Sequence, residues 1–391
     1  MFKRNKQSQV IIDDDVPKED GPLPAFVSQP LSYQPGITTK KNWFKRHKKL
    51  SIWLLVIFIV LAAGGAAAYF YLSQKPAGDT NTTTQPPKPE PEPEKFYSAL
   101  TGGQVDSYKV ATQATTGIMI ENSPDARPQS GLKNSGVVFE AITEGGITRF
   151  LVVYQEQKPQ LIGPVRSVRM YYVDWIAAFN ASVAHIGGSS VALAEVRNGT
   201  YRDIDEFFNS ATYWRATDRY APHNVYTSFE RIDALNAAKG YTSSDFTGFT
   251  RKDSKALETP TITQINVTIS GALYNSAYAY NPTTNTYDRF QAGAPHLDRE
   301  DGQISPRTVV VLNVQQTTVL EDGYRESIDV IGSGKAYIFE DGSGKEVTWS
   351  KPTKAAQITF ADASGNDVPL ARGQTWITAV PENRGGGVTW Q

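Results

Sequence analysis

The sequence has no cysteine in its 391 residues, and this absence excludes several kinds of chemistry at once. Without thiols the chain forms no disulfide bond, binds no zinc through sulfur and has no cysteine nucleophile. The sequence also offers no cysteine to which a lipid anchor could be attached. A folded domain outside the cell would therefore be held together by its hydrophobic core alone.

Histidine and net charge are scarce as well. The formal net charge is −1, so no overall positive field favours nucleic acid, and we expect no nucleic-acid partner. His185, His223 and His296 are the histidines beyond residue 50, and they share no short spacing such as His-x-x-x-His. A zinc site made of these three is an alternative, but we expect no metal and no cofactor.

Residues 50–72 form a long run without a single charged side chain. A helix needs roughly 20 residues to cross a hydrocarbon core of about 30 Å, and only a helix satisfies its own backbone hydrogen bonds in lipid. We therefore predict one transmembrane helix. The alternative is a signal peptide cut near Ala66–Ala68, although the run is longer than a signal peptide's apolar region and has a long segment before it.

The charges around this run predict its orientation. On its C-terminal side only Lys75 precedes Asp79, whereas basic residues crowd the N-terminal side: Lys40, Lys41, Lys45, Arg46, Lys48 and Lys49. Such an excess of lysine and arginine marks the cytoplasmic side. The predicted protein is single-pass in the cell membrane, with its C-terminal domains extracytoplasmic.

Two segments beside the helix lack the pattern of a folded domain. Residues 1–49 begin as a polar stretch that cannot bury enough surface to fold, so we predict a disordered cytoplasmic tail. Residues 73–95 are rich in proline, threonine and glutamate, which is typical of an extended spacer. Such a spacer would hold a globular head away from the membrane.

The head is predicted to have a mixed α/β domain at residues 105–250 and a β-rich domain at residues 261–382. In the first domain we predict strands at 116–120, 137–143, 148–155 and 182–186, and helices at 170–179 and 191–197. Thr227 and Glu230 form a capping-box pattern that predicts another helix, ending at Gly240. Two hairpins and further strands follow in the second domain. Residues 241–260 are predicted to be a linker or a long surface loop, and the last few residues are expected to be loose.

Arginine and histidine side chains cluster in the first half of the head. Arg166 and Arg169 stand three residues apart around a predicted helix start, so both can point the same way. Arginine binds carboxylates and phosphates through two parallel hydrogen bonds, and helix N-termini add donors for anions. We predict one anion-binding pocket formed by these residues: Arg149, Arg166, Arg169, His185, Arg219, His223 and Asn224.

Structural roles are the alternative for each of these side chains. The arginines could pair with carboxylates of the same half, namely Glu140, Glu144, Asp174 and Asp205. His185 could be a core residue, His223 could belong to a turn, and His296 could lie in an ordinary loop. A serine hydrolase using Ser189 or Ser190 is a further alternative, but the Gly-x-Ser-x-Gly elbow is missing. Gly187-Gly188 lacks the spacing of a nucleotide-binding fingerprint.

Several longer motifs resemble the YerB-like lipoproteins, a family of unknown biochemical function. They are NSPDARPQSGL at 122–132, EGGITRF at 144–150, GPVRSVR at 163–169, RYAPHN at 219–224, YDRF at 287–290, GAPHLD at 293–298 and GQTWI at 373–377. The resemblance spans about residues 110–382 and implies an extracytoplasmic bacterial protein with a second, C-terminal domain. It departs from the lipoprotein pattern because the apolar run replaces a lipidated cysteine.

The expected function is a binding or scaffold role in the cell envelope, linked to cell-wall assembly or remodelling, with a wall polymer or an envelope protein as partner. The alternative is an enzyme, a hydrolase or transferase, acting on an anionic wall polymer or a lipid-linked intermediate. In that case arginines would hold phosphate, and His185 or His223 would act as general base or acid.

Overall fold

The structure, a computed structural model, describes residues 48–73, 94–318 and 325–391. The tail predicted for residues 1–49 and the spacer predicted for residues 73–95 lie almost wholly outside these ranges. The described residues form the following α-helices: α1 (Lys48–Ser73), α2 (Tyr108–Ala111), α3 (Met170–Ile176), α4 (Ser190–Val196) and α5 (Phe229–Ala238).

The strands of the described residues are, in chain order, β1 (Phe96–Tyr97), β2 (Gln104–Val105), β3 (Thr116–Glu121), β4 (Val137–Ile142), β5 (Thr148–Tyr154), β6 (Ser182–Ala184), β7 (Arg202–Asp203), β8 (Trp214–Arg215), β9 (Val225–Tyr226), β10 (Arg251–Lys252), β11 (Gln264–Thr268), β12 (Ser276–Asn281), β13 (Thr286–Gln291), β14 (Ala294–Pro295), β15 (Leu297–Asp298), β16 (Gly302–Gln303), β17 (Thr308–Val314), β18 (Gln316–Thr318), β19 (Glu326–Ile328), β20 (Gly332–Glu340), β21 (Ser343–Lys351), β22 (Thr359–Ala361), β23 (Leu370–Ala371), β24 (Thr375–Pro381) and β25 (Gly387–Trp390).

Helix α1 contains the apolar run. Its stretch Val56–Ser73 covers 18 residues with a mean hydropathy of 2.0, which is long and apolar enough to cross a membrane by length and composition. Val60, Leu61 and Phe70 are each more than half exposed. Apolar side chains in such a continuous exposed surface are unfavourable in water, so the helix has the surface of a membrane-embedded or interface-bound segment.

A ten-stranded mixed sheet organises the head, which is one compact unit. Its order is β22-β21-β20-β17-β24-β4-β5-β3-β6-β7. The central strands β3, β4, β5 and β24 are buried along their whole length. Their near-continuous apolar sequences follow from that position, because a strand covered on both faces needs no polar side.

Two layers cover this sheet. On one face it packs against α3 and α4, and Phe139 of β4 stacks on Trp175 of α3 with ring centroids 4.9 Å apart. On the other face Phe150 lies in one buried cluster with Phe229 of α5 and Tyr278 of a five-stranded antiparallel sheet. That sheet has the order β14-β13-β12-β11-β25. Full burial of one such side chain contributes about 1.5–3 kcal/mol.

The predicted two-part organisation is confirmed, with a mixed α/β part followed by a β-rich part, but the parts are not joined by a loose linker. Strand β24 of the second part pairs directly with β4 of the first. Within the expected linker Phe249 is buried, and β10 pairs with β23. Arg251 donates hydrogen bonds to the carbonyl oxygens of Leu100 and Ala371. Of the two alternatives predicted for this segment, a linker or a long surface loop, these contacts favour a loop that packs against both parts of the head; polar composition alone does not report such long-range contacts.

The predicted strands, hairpins and helices of the head are present, with boundaries shifted by a few residues. Two details differ. Ser228, not Thr227, caps α5 by accepting a hydrogen bond from the backbone N–H of Arg231, while Thr227 donates to the Thr212 carbonyl. The last residues are not loose, because β25 pairs along the whole of its length with β11.

Candidate functional site

The candidate site lies at the carboxyl end of β3, where the buried apolar strand gives way to polar residues. Glu121 is the last residue of this strand. Its backbone N–H donates to the Pro164 carbonyl at 2.9 Å, and the N–H of Arg166 donates to the Met119 carbonyl at 2.9 Å. The segment that carries Arg166 therefore runs beside the strand end and brings its guanidinium group to Glu121.

Three side chains converge on one carboxylate oxygen of Glu121. The hydroxyl of Ser123 donates to Oε1 at 2.9 Å, the Nδ1 atom of His223 lies 2.9 Å from it, and the Nε atom of Arg166 lies 3.4 Å from it. The side chain of Glu121 is only 4% exposed, whereas those of Arg166 and His223 are 25% and 22% exposed. We call Glu121, Ser123, Arg166 and His223 the Glu121 cluster.

The other oxygen of this carboxylate has no partner. Glu121 Oε2 and Arg166 Nε are both buried, and neither has a hydrogen bond of normal geometry to any described residue. An unsatisfied buried polar group costs about 1–3 kcal/mol. The Glu121 cluster therefore keeps unused acceptor and donor capacity beside two partly exposed side chains.

His223 is oriented by the loop between β8 and β9. Arg219 donates from this loop to the carbonyl oxygens of Asp125 at 3.1 Å and Pro128 at 2.6 Å. The amide of Asn224 donates to the carbonyl oxygens of Ala216 and Arg219, both from inside the loop. The guanidinium group of Arg219 and the amide nitrogen of Asn224 therefore donate to backbone, while the amide oxygen of Asn224 accepts from Arg215, and these contacts position His223.

The ring of His223 presents one nitrogen inward and one outward. Nδ1 faces Glu121, and a carboxylate only accepts hydrogen bonds, so we assign the ring proton to Nδ1. In the neutral ring Nε2 then carries the free electron pair; it lies 3.9 Å from a carboxylate oxygen of Asp125, whose side chain is 82% exposed. This arrangement can accept a proton from a bound molecule. Ser123 also lies 3.2 Å from Nδ1, on the Glu121 side of the ring.

Two predicted pocket residues make internal contacts. Arg169 pairs with Glu144 through two contacts, one of them from Nη2 to Oε2 at 2.8 Å. Burial raises the pKa of Glu144, but the hydrogen bond and charge of Arg169 outweigh it, so the pKa lies below its usual value. Arg149 is buried and donates to the Ser167 carbonyl at 2.7 Å. Burial, followed by the charge of Arg169, lowers the pKa of Arg149.

His185 likewise has both ring nitrogens in contact with protein atoms. Nδ1 lies 2.8 Å from the Gly187 carbonyl oxygen and Nε2 lies 3.1 Å from Asp203. His185, Asp203 and Asp205 are close enough to hold a metal ion, but Arg197 pairs with both acids and supplies a positive charge there. The contacts of the predicted pocket residues therefore do not converge: Arg166 and His223 meet at Glu121, and the others pair elsewhere.

A fully buried ion pair was not predicted from the sequence. Arg289 Nη2 lies 2.9 Å from Glu140 Oε2, and both side chains are 0% exposed. The indole N–H of Trp376 donates to the same oxygen at 3.0 Å, and the guanidinium group lies 4.4 Å from the Trp376 ring centroid. Arg289 also donates to Nδ1 of His296. This pair joins β4 of the first part to β13 of the second.

His296 extends the ion pair toward the Glu121 cluster. Its Nε2 atom lies 3.0 Å from the side-chain oxygen of Gln129, and the Gln129 amide donates to the Glu121 carbonyl at 3.0 Å. Burial lowers the pKa of His296 well below its usual value, and the charges of Arg289 and Arg127 lower it further. His296 is therefore a neutral link in the core and not part of an ordinary loop.

Comparison with known proteins agrees with the motifs. A family model described as "Protein of unknown function (DUF3048) N-terminal domain" matches residues 100–242, and the DUF3048 C-terminal domain matches residues 265–377. The chain is 31% identical over 293 residues to "Putative lipoprotein YerB" of Bacillus subtilis (strain 168), covering 74% of this chain and 87% of that protein. It is similar to the crystal structure of YerB from Bacillus subtilis, with a TM-score of 0.68 and 29% identity, covering 75% of this chain and 100% of the solved chain.

The buried His296 gives a testable pH dependence. Its pKa in the folded state lies well below that of an unfolded histidine, roughly 6.5. Below that pH the unfolded chain binds a proton that the folded head excludes, so this group's contribution to stability is lost as the pH falls. The loss is about 1.4 kcal/mol per pH unit. The expected result is a shallower fall in the unfolding free energy of His296→Gln than of the unmodified head, measured by urea denaturation. Equal slopes for the two proteins would contradict a neutral buried His296.

Proposed function

The chain belongs to the DUF3048 family of two-domain proteins of unknown function, and on that basis we propose that it is a membrane-tethered, extracytoplasmic protein of the bacterial cell envelope that binds a cell-wall polymer. The name of YerB describes that relative as a lipoprotein, which is a tethered protein. Helix α1 provides the corresponding tether in this chain. The uncharged run at residues 50–72 of this helix and its exposed apolar side chains support a membrane span.

The observation that carries the binding proposal is the incomplete bonding of the Glu121 cluster. A ligand that donates to Glu121 Oε2 and places an anionic oxygen beside Arg166 would complete both groups. Charge-assisted hydrogen bonds of this kind contribute about 1.5–3 kcal/mol each. Alternating hydroxyl and phosphate groups, as in an anionic polyol-phosphate wall polymer, supply a donor and an anion close together. The carboxyl end of β3 is also where open α/β sheets bind their ligands.

An enzyme acting on the same polymer is the second candidate, and the orientation of His223 is the observation that favours it. A histidine held through Nδ1 by a carboxylate keeps Nε2 as a proton acceptor, the arrangement used for general base catalysis. Arg166 is then placed to stabilise an anionic group near the reacting atoms. Ser123 is not the nucleophile in this arrangement, because its hydroxyl donates to Glu121.

The topology is tested by protease treatment of intact protoplasts that express the full chain with a tag at each end. Because basic residues crowd the N-terminal side of α1, the C-terminal tag and the head should be digested while the N-terminal tag persists. Lysed protoplasts provide the control in which both tags are accessible. Protection of the C-terminal tag in intact protoplasts would reject the proposed orientation.

The binding site is tested with the soluble head, from residue 94 onward, and a poly(glycerol phosphate) fragment as the probe. Arg166→Ala should weaken binding about ten- to a hundredfold, since it removes a charge-assisted contact. Arg384→Ala, which removes an exposed arginine in the second part, is the matched control and should bind normally. Calorimetric titration measures the affinity, and thermal unfolding checks that the variants remain folded.

Two outcomes of that titration decide against the proposal. One is the absence of saturable binding to the unmodified head. The other is a large fall in thermal midpoint for Arg166→Ala with unchanged affinity per folded molecule, which would make Arg166 a purely structural partner of Glu121. Turnover of the probe that disappears in His223→Gln while binding persists would favour the enzyme.

A further inference from the structure

The loop that carries His223 also lines a cavity. Its volume is 400 Å³, and its lining combines an aromatic ring, two arginines, a carboxylate and a phenol: Leu161, Trp214, Arg215, Ala216, Thr217, Asp218, Tyr226 and Arg299. The loop between β8 and β9 therefore borders both this cavity and the Glu121 cluster. We call this space the Trp214 cavity.

Tyr226 forms a buried part of the wall of the Trp214 cavity. The residue is 1% exposed; its hydroxyl is contacted by the guanidinium group of Arg299 but makes no hydrogen bond of normal geometry to any described residue. Other buried tyrosines of the head have partners, such as Tyr154 with the Gly131 carbonyl and Tyr213 with the Ile204 carbonyl. A buried phenol normally finds such a partner. The O–H proton of Tyr226 therefore has no acceptor among the described residues, beside the cavity that Tyr226 lines.

Two cations stand around this hydroxyl. Burial raises the pKa of Tyr226, while the charge of Arg219 and then the hydrogen bond and charge of Arg299 lower it in part. Arg299 is held by Asp218 at 2.6 Å, and its side chain is 36% exposed. Arg215 is exposed and uses one of its nitrogens to donate to Asn224 at 3.0 Å. Arg299 also lies 3.6 Å from a carboxylate oxygen of Glu300. The remaining donors of Arg215 are therefore the main positions at which an anion can bind, with Arg299 beside them.

Trp214 supplies an apolar wall. Arg231 lies over its ring, 4.7 Å from the centroid, and donates to the carbonyl oxygens of Ala211 and Tyr213, which fixes the indole. A fixed aromatic ring beside hydroxyl-binding groups suits the apolar face of a sugar. Asp218 and the Tyr226 hydroxyl can bind sugar hydroxyls, and the arginines can bind a carboxylate or phosphate.

We propose that the Trp214 cavity binds one anionic sugar unit, with the pyranose ring against Trp214 and its acidic group on Arg215 and Arg299. The inference rests on the proposed function, since it makes the cavity a saccharide subsite for the same kind of envelope polymer. The ligand of the Trp214 cavity is a saccharide with a carboxylate or phosphate. It is distinct from the polyol phosphate proposed for the Glu121 cluster.

The test uses the head from residue 94 onward with two probes, N-acetylmuramic acid and N-acetylglucosamine, which share the ring but differ in the carboxylate. The unmodified head should bind the acidic sugar more tightly. Trp214→Ala should weaken both probes by about tenfold, because it removes the wall for the ring. Arg215→Ala should weaken the acidic sugar by about tenfold and leave the neutral sugar unchanged.

Two further variants keep the test independent of folding. Tyr226→Phe removes only the hydroxyl, so it should weaken both sugars with little change in thermal midpoint. Phe208→Ala, which removes an aromatic ring that is 73% exposed outside the cavity, is the matched control and should bind both sugars normally. If Trp214→Ala does not fold, the sugar affinities of Arg215→Ala and Tyr226→Phe decide whether the cavity is the binding site.

The outcomes separate this inference from the proposed function. No saturable binding of either sugar, or binding that Trp214→Ala and Arg215→Ala leave intact, overturns the saccharide subsite even if Arg166→Ala still abolishes polymer binding. A sugar phosphate that displaces N-acetylmuramic acid from the unmodified head, but not from Arg215→Ala, identifies phosphate as an equivalent acidic group. If the head binds the sugars and Arg166→Ala leaves its affinity for the polymer unchanged, the Glu121 cluster is rejected as the polymer site and the Trp214 cavity is supported as a sugar site.

Discussion

The ion pair between Glu140 and Arg289 is the interaction on which the arrangement of the head depends. Both side chains are completely buried, and each part of the chain contributes one of them. Removing an ion from water costs several kcal/mol, and only a well-placed opposite charge with further hydrogen bonds offsets that cost. Trp376 and Thr148 donate the additional hydrogen bonds to Glu140. Neither part can therefore complete its core alone, which agrees with one sheet built from strands of both.

The same network reaches the candidate site. Arg289 contacts His296, His296 contacts Gln129, and Gln129 holds the backbone of Glu121. Residues of the second part, Arg289 and His296, thus help to position the Glu121 cluster, which lies in the first part. The YDRF and GAPHLD motifs, which carry part of the resemblance to the YerB-like family, thus contribute Arg289 and His296 as buried links of this network.

The sequence predicted local elements well and long-range contacts poorly, for physical reasons. Apolar runs and turn residues identified β3, β4 and β5, the two hairpins, α3 and α4, because these patterns depend on near neighbours. The pairing of β24 with β4 and of β25 with β11 depends on residues far apart in the chain. Likewise the sequence predicted Arg166 and His223 as pocket residues. Their common partner Glu121 was not predicted, because it ends an apolar strand and belongs to no recognisable catalytic or binding pattern. Its role becomes visible only when residues 121 and 223 are brought together.

A double-mutant cycle measures whether Glu140 and Arg289 join the head into one cooperative unit. The variants are Glu140→Gln, Arg289→Met and the double substitution, each unfolded in urea and followed by tryptophan fluorescence and circular dichroism. We expect a single coincident transition and a loss of about 3–5 kcal/mol for Arg289→Met, which leaves a buried charge unpaired. The loss for the double variant should be smaller than the sum of the two single losses. Additive losses, or two separate transitions of which only one responds to the substitutions, would show that this pair does not unite the two parts.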